Sequence, residues 1–61
     1  MKRVESYDVY IKTDSGMRLE RVRAQNRKDL IDQLKYLFPD DIGADAWFID
    51  DLTGGEIQIF W

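Results

Sequence analysis

Between Asn26 and Pro39 the chain carries its one helical period. Leu30, Ile31, Leu34, Leu37 and Phe38 fall at i, i+1, i+4, i+7 and i+8, the apolar stripe of an amphipathic helix. Asn26 is a good N-cap, and Asp29 three residues later supplies a shorter version of the capping box. Pro39 ends the helix, because proline disfavours helical geometry in the residue before it and has no N–H to donate. The opposite face shows Asp29, Asp32, Gln33, Lys35 and Tyr36 to solvent. A lone helix with one apolar face has to bury it against another layer, and the rest of the sequence has the period of strands.

Tyr7, Val9 and Ile11 alternate with Asp8, Tyr10 and Lys12, the period-2 pattern of a half-buried strand. Asp14-Ser15-Gly16 then supplies turn chemistry. From Met17 to Ala24 the apolar positions are Met17 and Leu19, then Val22 and Ala24, so the inward face changes parity near Glu20-Arg21. A bulge there restores the facing, with Leu19 opposite Ile11, and Val22 and Ala24 opposite Val9 and Tyr7. Residues 39–46 read as a loop with room for a helical turn, anchored by Ile42. Trp47-Phe48-Ile49 and Ile57 to Trp61 read as two more strands, joined through Asp51-Leu52-Thr53-Gly54-Gly55. The expected fold is one α+β domain over residues 1–61, in the order ββαββ, with a mainly antiparallel sheet and the helix packed on one face.

One helix covers one face of a four-stranded sheet. If Tyr7, Val9, Ile11, Val22, Ile49, Ile57, Ile59 and Trp61 face the helix, alternation sends Tyr10, Phe48 and Phe60 to the uncovered side. These aromatics either pack among themselves as cross-strand pairs or form a patch for a partner or a second copy. Composition sharpens that choice. The 61 residues are 44% hydrophobic and contain no Cys and no His, so neither a disulfide nor a His/Cys zinc site supports the small core, and dimerisation stays open. No apolar run exceeds Ala46 to Ile49, and Met1-Lys2-Arg3 is followed by Glu5 and Asp8. Neither a membrane span nor a signal peptide is expected, and the cytoplasm is the expected compartment.

The same composition excludes most chemistry. Ser-His-Asp and Cys-His nucleophile systems lack their base and their thiol. General acid-base work by carboxylates needs one of them desolvated in a cleft, and so short a chain has little volume for both a core and a pocket. Asp40-Asp41-Ile42-Gly43-Ala44-Asp45 fails as a calcium loop, since Ile42 and Ala44 stand where oxygen ligands belong and the glycine comes too early. Gly54-Gly55 has no lysine and no following helix, so it is no phosphate loop. No enzyme activity, metal or cofactor is expected.

Charge points towards binding. Nine bases and twelve acids leave 9 − 12 = −3. Residues 1–28 carry eight bases and four acids, 8 − 4 = +4, and residues 29–61 carry one base and eight acids, 1 − 8 = −7. Arg18, Arg21, Arg23, Arg27 and Lys28 cluster around the second strand and the helix start. They fit a solvated strand that partly neutralises Glu20 and Asp8 better than a nucleic-acid surface, because the acids elsewhere repel a polyanion. The helix has one lysine against two aspartates on its polar face, which argues against a membrane surface.

The acidic half suggests mimicry of a phosphate track. Asp29 and Asp32 on the helix would stand about 5–6 Å apart. Asp40, Asp41 and Asp45 lie in the loop, and Asp50 and Asp51 at the second hairpin. Carboxylates held on rigid elements can be steered into the basic groove of a DNA-handling protein. Ser6-Tyr7-Asp8-Val9 opening the first strand, the acidic glycine turn Asp14-Ser15-Gly16, and a helix beginning near Asp29-Leu30 resemble the small uracil-DNA glycosylase inhibitors of phi29-like Bacillus phages. The match covers about half of the chain. It implies an acidic, dimeric DNA mimic that encloses a protruding leucine of the glycosylase in an apolar pocket, acting in the host cytoplasm. Carried over by position, Asp29, Asp32 and Tyr36 would be polar contacts and Leu37 or Phe38 pocket residues, although the helical stripe already assigns both to the core. The hairpin from Trp47 to Trp61 is longer than that family's single terminal strand, and the basic first half is less DNA-like. The sequence thus points to a non-enzymatic protein-binding module and, with the resemblance, to a phage-type inhibitor that mimics DNA and blocks the DNA-binding groove of an enzyme such as uracil-DNA glycosylase. Its candidate contacts are Asp29, Asp32, Tyr36, Asp40, Asp41, Asp45, Asp50, Asp51 and Phe60, with an accessory module binding through the aromatic sheet face as the alternative.

Overall fold

The structure, a computed structural model, describes residues 4–61. Lys2 and Arg3, counted above in the basic half, lie outside the described residues. Strand β1 (Glu5–Thr13) turns through Asp14-Ser15 into β2 (Gly16–Ala24), and helix α1 (Arg27–Leu37) follows. A 3-10 turn (Pro39–Asp41) then leads to β3 (Asp45–Ile49) and β4 (Glu56–Ile59). The four strands form one antiparallel sheet in the order β2-β1-β3-β4. This is the expected ββαββ α+β architecture, with the helix on one face.

The helix starts and stops for local reasons that the sequence displays. Asn26 is extended, and its side-chain oxygen accepts from the Asp29 N–H at 2.9 Å. Asp29 returns a carboxylate oxygen to the Gln25 N–H at 2.9 Å, one residue earlier than the capping box places it. At the far end the Phe38 N–H closes on the Leu34 carbonyl and Pro39 starts the 3-10 turn. Leu30 and Leu34 are buried, and Ile31 and Phe38 pack against the core. Leu37, expected in the stripe, is half exposed, as is Ile42, expected to anchor the loop. The loop is held by polar contacts instead. The Trp61 indole N–H donates to the Ala44 carbonyl at 2.7 Å, and Arg18 pairs with Asp41.

Register decides which side chains reach the helix. The β1–β2 ladder runs unbroken from Glu5 opposite Ala24 to Thr13 opposite Gly16, so the expected bulge is absent. Val22 opposes Tyr7, Leu19 opposes Tyr10 rather than Ile11, and Arg18 opposes Ile11. Met17 and Leu19 therefore stay on the uncovered face, while Arg18 and Glu20 take the helix side. The parity of β3 is also the reverse of that expected. Phe48 opposes Val9 and Ile57 and is buried with Val9, Ile11, Val22, Ala24, Leu30, Leu34, Ala46 and Ile59. Its ring meets Tyr7 edge-on, with centroids 5.2 Å apart at 85°. Ile49, expected inside, belongs to the open face. On this facing Ala46, fully buried, opposes Ile11 and Ile59, the exposed Asp45 carboxylate stays in solvent rather than in the core, and two residues on from Ala46 the same face carries Phe48.

Candidate functional site

The open face of the sheet is built as a row. Leu19 on β2, Tyr10 on β1, Trp47 on β3 and Gln58 on β4 are successive cross-strand partners, and directly opposed residues share a face. Tyr10 and Trp47 stack with centroids 5.8 Å apart and planes only 12° from parallel. Met17 beside this row is 61% exposed and Leu19 within it 58%, and Ile49 extends the apolar surface along β3. On one side lie Asp8 and Arg21, paired at 3.0 Å. Lys12 and Asp45 oppose each other on the other side. The result is an aromatic centre with an aliphatic margin and mixed charges at its rim.

The aromatic trio expected on this face is not assembled. Tyr10 is there, Phe48 is in the core, and Trp47 takes the place assigned to Phe48. Phe60 follows β4 and is 82% exposed. It lines a hollow of about 110 Å³ with Arg27, Leu30 and Ile31 of the helix, at the rim of the sheet rather than in the row.

The acidic candidates divide into two groups and several single tasks. Asp40, Asp41 and Asp45 line one shallow hollow of about 400 Å³ together with Lys12 and the turn residue Asp14. Asp50 and Asp51 line another, of about 670 Å³, with Glu5, Asp8 and Arg21. Asp45 and Asp50 are five residues apart along and just beyond β3, which separates the groups by about 17 Å at the strand rise. Asp41 is committed to Arg18, whose guanidinium also stands 5.2 Å from the Phe38 ring centroid. Asp50 folds its own turn: its carboxylate accepts from the Leu52 N–H and the Thr53 hydroxyl, both at 3.1 Å. Asp29 caps the helix. Asp32, Asp40, Asp45, Asp51 and Tyr36 are exposed and without such a task among the described residues.

Burial pushes the Tyr7 hydroxyl above its ordinary range, reinforced by the charge of Glu5 and a hydrogen bond to it, and opposed by Arg27. That environment keeps the phenol neutral, as a core-edge tyrosine requires. Among the described residues no group of three or more His, Cys, Asp or Glu side chains is placed to hold a metal ion, and no helix is long and apolar enough to cross a membrane.

Sequence reasoning missed Trp47, Leu19 and Met17 as surface residues. A signal was present, since Met17 and Leu19 keep the parity of Arg21 and Arg23, and an unbulged strand places all four on one face. Compared with protein-family models, curated proteins and solved structures, the chain matches none.

Proposed function

We propose that this chain is a non-enzymatic protein-binding module whose contact surface is the open sheet face, centred on Tyr10 and Trp47. The observation that carries the reading is the row Leu19–Tyr10–Trp47, flanked by exposed Met17 and Ile49. Stacked aromatics with an aliphatic margin are the surface chemistry of interface hot spots. The charges beside the row suit a rim that orients a partner, and the module acts in the cytoplasm on this reading.

A second reading rests on a different observation. Asp14, Asp40, Asp41 and Asp45 gather at one end of the molecule, and a carboxylate group of that kind can stand in for phosphates towards a basic DNA-handling protein such as a uracil-DNA glycosylase. On this reading the chain is a DNA-mimicking inhibitor.

Two variants separate the readings. Affinity capture from bacterial lysate, with the captured protein then purified and titrated by calorimetry, is compared for Trp47→Glu and for the triple change Asp40→Asn, Asp41→Asn, Asp45→Asn. Loss of binding in Trp47→Glu alone supports the sheet face. Loss in the triple variant alone, with binding that weakens steeply in salt, supports the acidic end. Full binding by Trp47→Glu overturns the first reading.

A further inference from the structure

Strand β2 is an edge, and the direction of its free backbone groups follows from one hydrogen bond. The Asp50 N–H donates to the Gly55 carbonyl at 2.9 Å, so the Asp50 backbone faces the β4 side. In an antiparallel ladder that facing alternates. Phe48 and Ala46 therefore bond to β4, and Trp47 and Asp45 bond to Tyr10 and Lys12 of β1. Tyr7, Val9 and Ile11 are left to bond Val22, Glu20 and Arg18. The N–H and C=O groups of Met17, Leu19, Arg21 and Arg23 then point away from the sheet, and among the described residues nothing hydrogen-bonds to them. A long edge of this kind is a template for another strand.

We propose that β2 pairs antiparallel with β2 of a second copy of this chain, about a two-fold axis at Leu19, joining the two four-stranded sheets into one. The charges on the strand select both the partner and the register. With the axis at Leu19, Leu19 meets Leu19, Met17 meets Arg21, and Arg18 of each copy stands opposite Glu20 of the other. Moving the axis one residue towards the turn sets Arg18 on Arg18, and moving it one or two residues towards the helix sets Glu20 on Glu20 or Arg21 on Arg21. Like charges directly opposite destabilise a sheet and opposite ones support it. In the Leu19 register the outward backbone groups of Leu19 meet their own counterparts and those of Met17 meet Arg21, as hydrogen-bonded pairing requires. Glu20 is half-buried and has no ionic partner among the described residues. Arg18 spends one guanidinium nitrogen on Asp41 and keeps other donors free. Asp14, beyond the end of the pairing, comes beside Arg23 of the second copy. The proposal stands on the strand edge and holds whether or not the open face docks a partner.

The test is the solution mass of the full chain by sedimentation equilibrium. The expected result for the wild type is a reversible dimer of the 7.3 kDa chain; a monomer at tens of micromolar overturns the proposal. Leu19→Pro removes an outward N–H and no ladder bond, so it is expected to keep the far-UV circular dichroism of the wild type and to be monomeric. A dimeric Leu19→Pro overturns the proposal. Arg18→Glu and Glu20→Arg each put like charges at both symmetric positions and are expected to weaken self-association about tenfold or more. In an equimolar mixture the acids of one variant face the bases of the other at both positions, so the mixture is expected to recover the dimer mass. Failure of the mixture to associate, or unweakened association of either variant alone, overturns the register.

Discussion

Trp47 and Phe48 are adjacent aromatics on opposite faces, and exchanging which one is truncated measures the facing directly. Phe48 is 7% exposed and meets Tyr7 edge-on. Phe48→Ala removes a buried ring at a cost of about 3–5 kcal/mol and the aromatic pair for about 0.5–1.5 more. A 61-residue domain at ordinary per-residue stability has only about 3–9 kcal/mol in total. Phe48→Ala is therefore expected to be largely unfolded in buffer, and Phe48→Leu, with less volume lost, to fall by about 1–2 kcal/mol. Trp47→Ala gives up its stack on Tyr10 and part of its burial, about 1–2 kcal/mol, and keeps a cooperative transition. The assay is urea unfolding followed by far-UV circular dichroism, where about 1 kcal/mol moves the midpoint by up to roughly 1 M for so small a chain. If Trp47→Ala proves as destabilising as Phe48→Ala, the register of β3 is wrong and the open-face row falls with it.

Three other outcomes are expected. Asn26→Ala loses the bond to the Asp29 N–H and lowers stability by about 1 kcal/mol, read as a urea midpoint shift, while Asn26→Ser restores most of it. Gly54 sits at φ +72° with open space around it, so Gly54→Ala costs about 1 kcal/mol through backbone strain alone, and calorimetric Tm falls without loss of the folded baseline. The raised Tyr7 pKa makes stability pH-dependent on the alkaline side. The unfolded chain releases that proton first, so the contribution is complete below about pH 10, declines as pH rises through the folded value, and vanishes in Tyr7→Phe, a difference that urea midpoints across alkaline pH report.

The helix and the first hairpin could be read from sequence because each carries a local signature. Asn26, the stripe from Leu30 and the stop at Pro39 act within a turn or two, and the alternation from Tyr7 to Lys12 specifies a face without reference to any other strand. The facing of β3 has no such signature: Trp47-Phe48-Ile49 is apolar without alternation, so only its pairing with β1 decides it. The expected bulge in β2 assumed that Met17 and Leu19 must be inside, whereas this sheet leaves both in solvent. The acids were recognised as a group, but their separate duties were not. Asp29 and Asp50 serve a cap and a turn, and Asp41 serves Arg18 across twenty-three residues of chain, a contact that exists only once the hairpin is folded against the 3-10 turn.

The two tryptophans lie on opposite sides of the sheet. Trp61 is held against the core by its bond to the Ala44 carbonyl, and Trp47 lies on Tyr10 in the open face. The molecule therefore carries two separately addressable optical probes. A Trp61→Phe variant isolates an emitter that reports occupancy of the open face, and a Trp47→Phe variant isolates one that reports the integrity of the loop and core. A partner that quenches the first without shifting the second has docked on the sheet without loosening it.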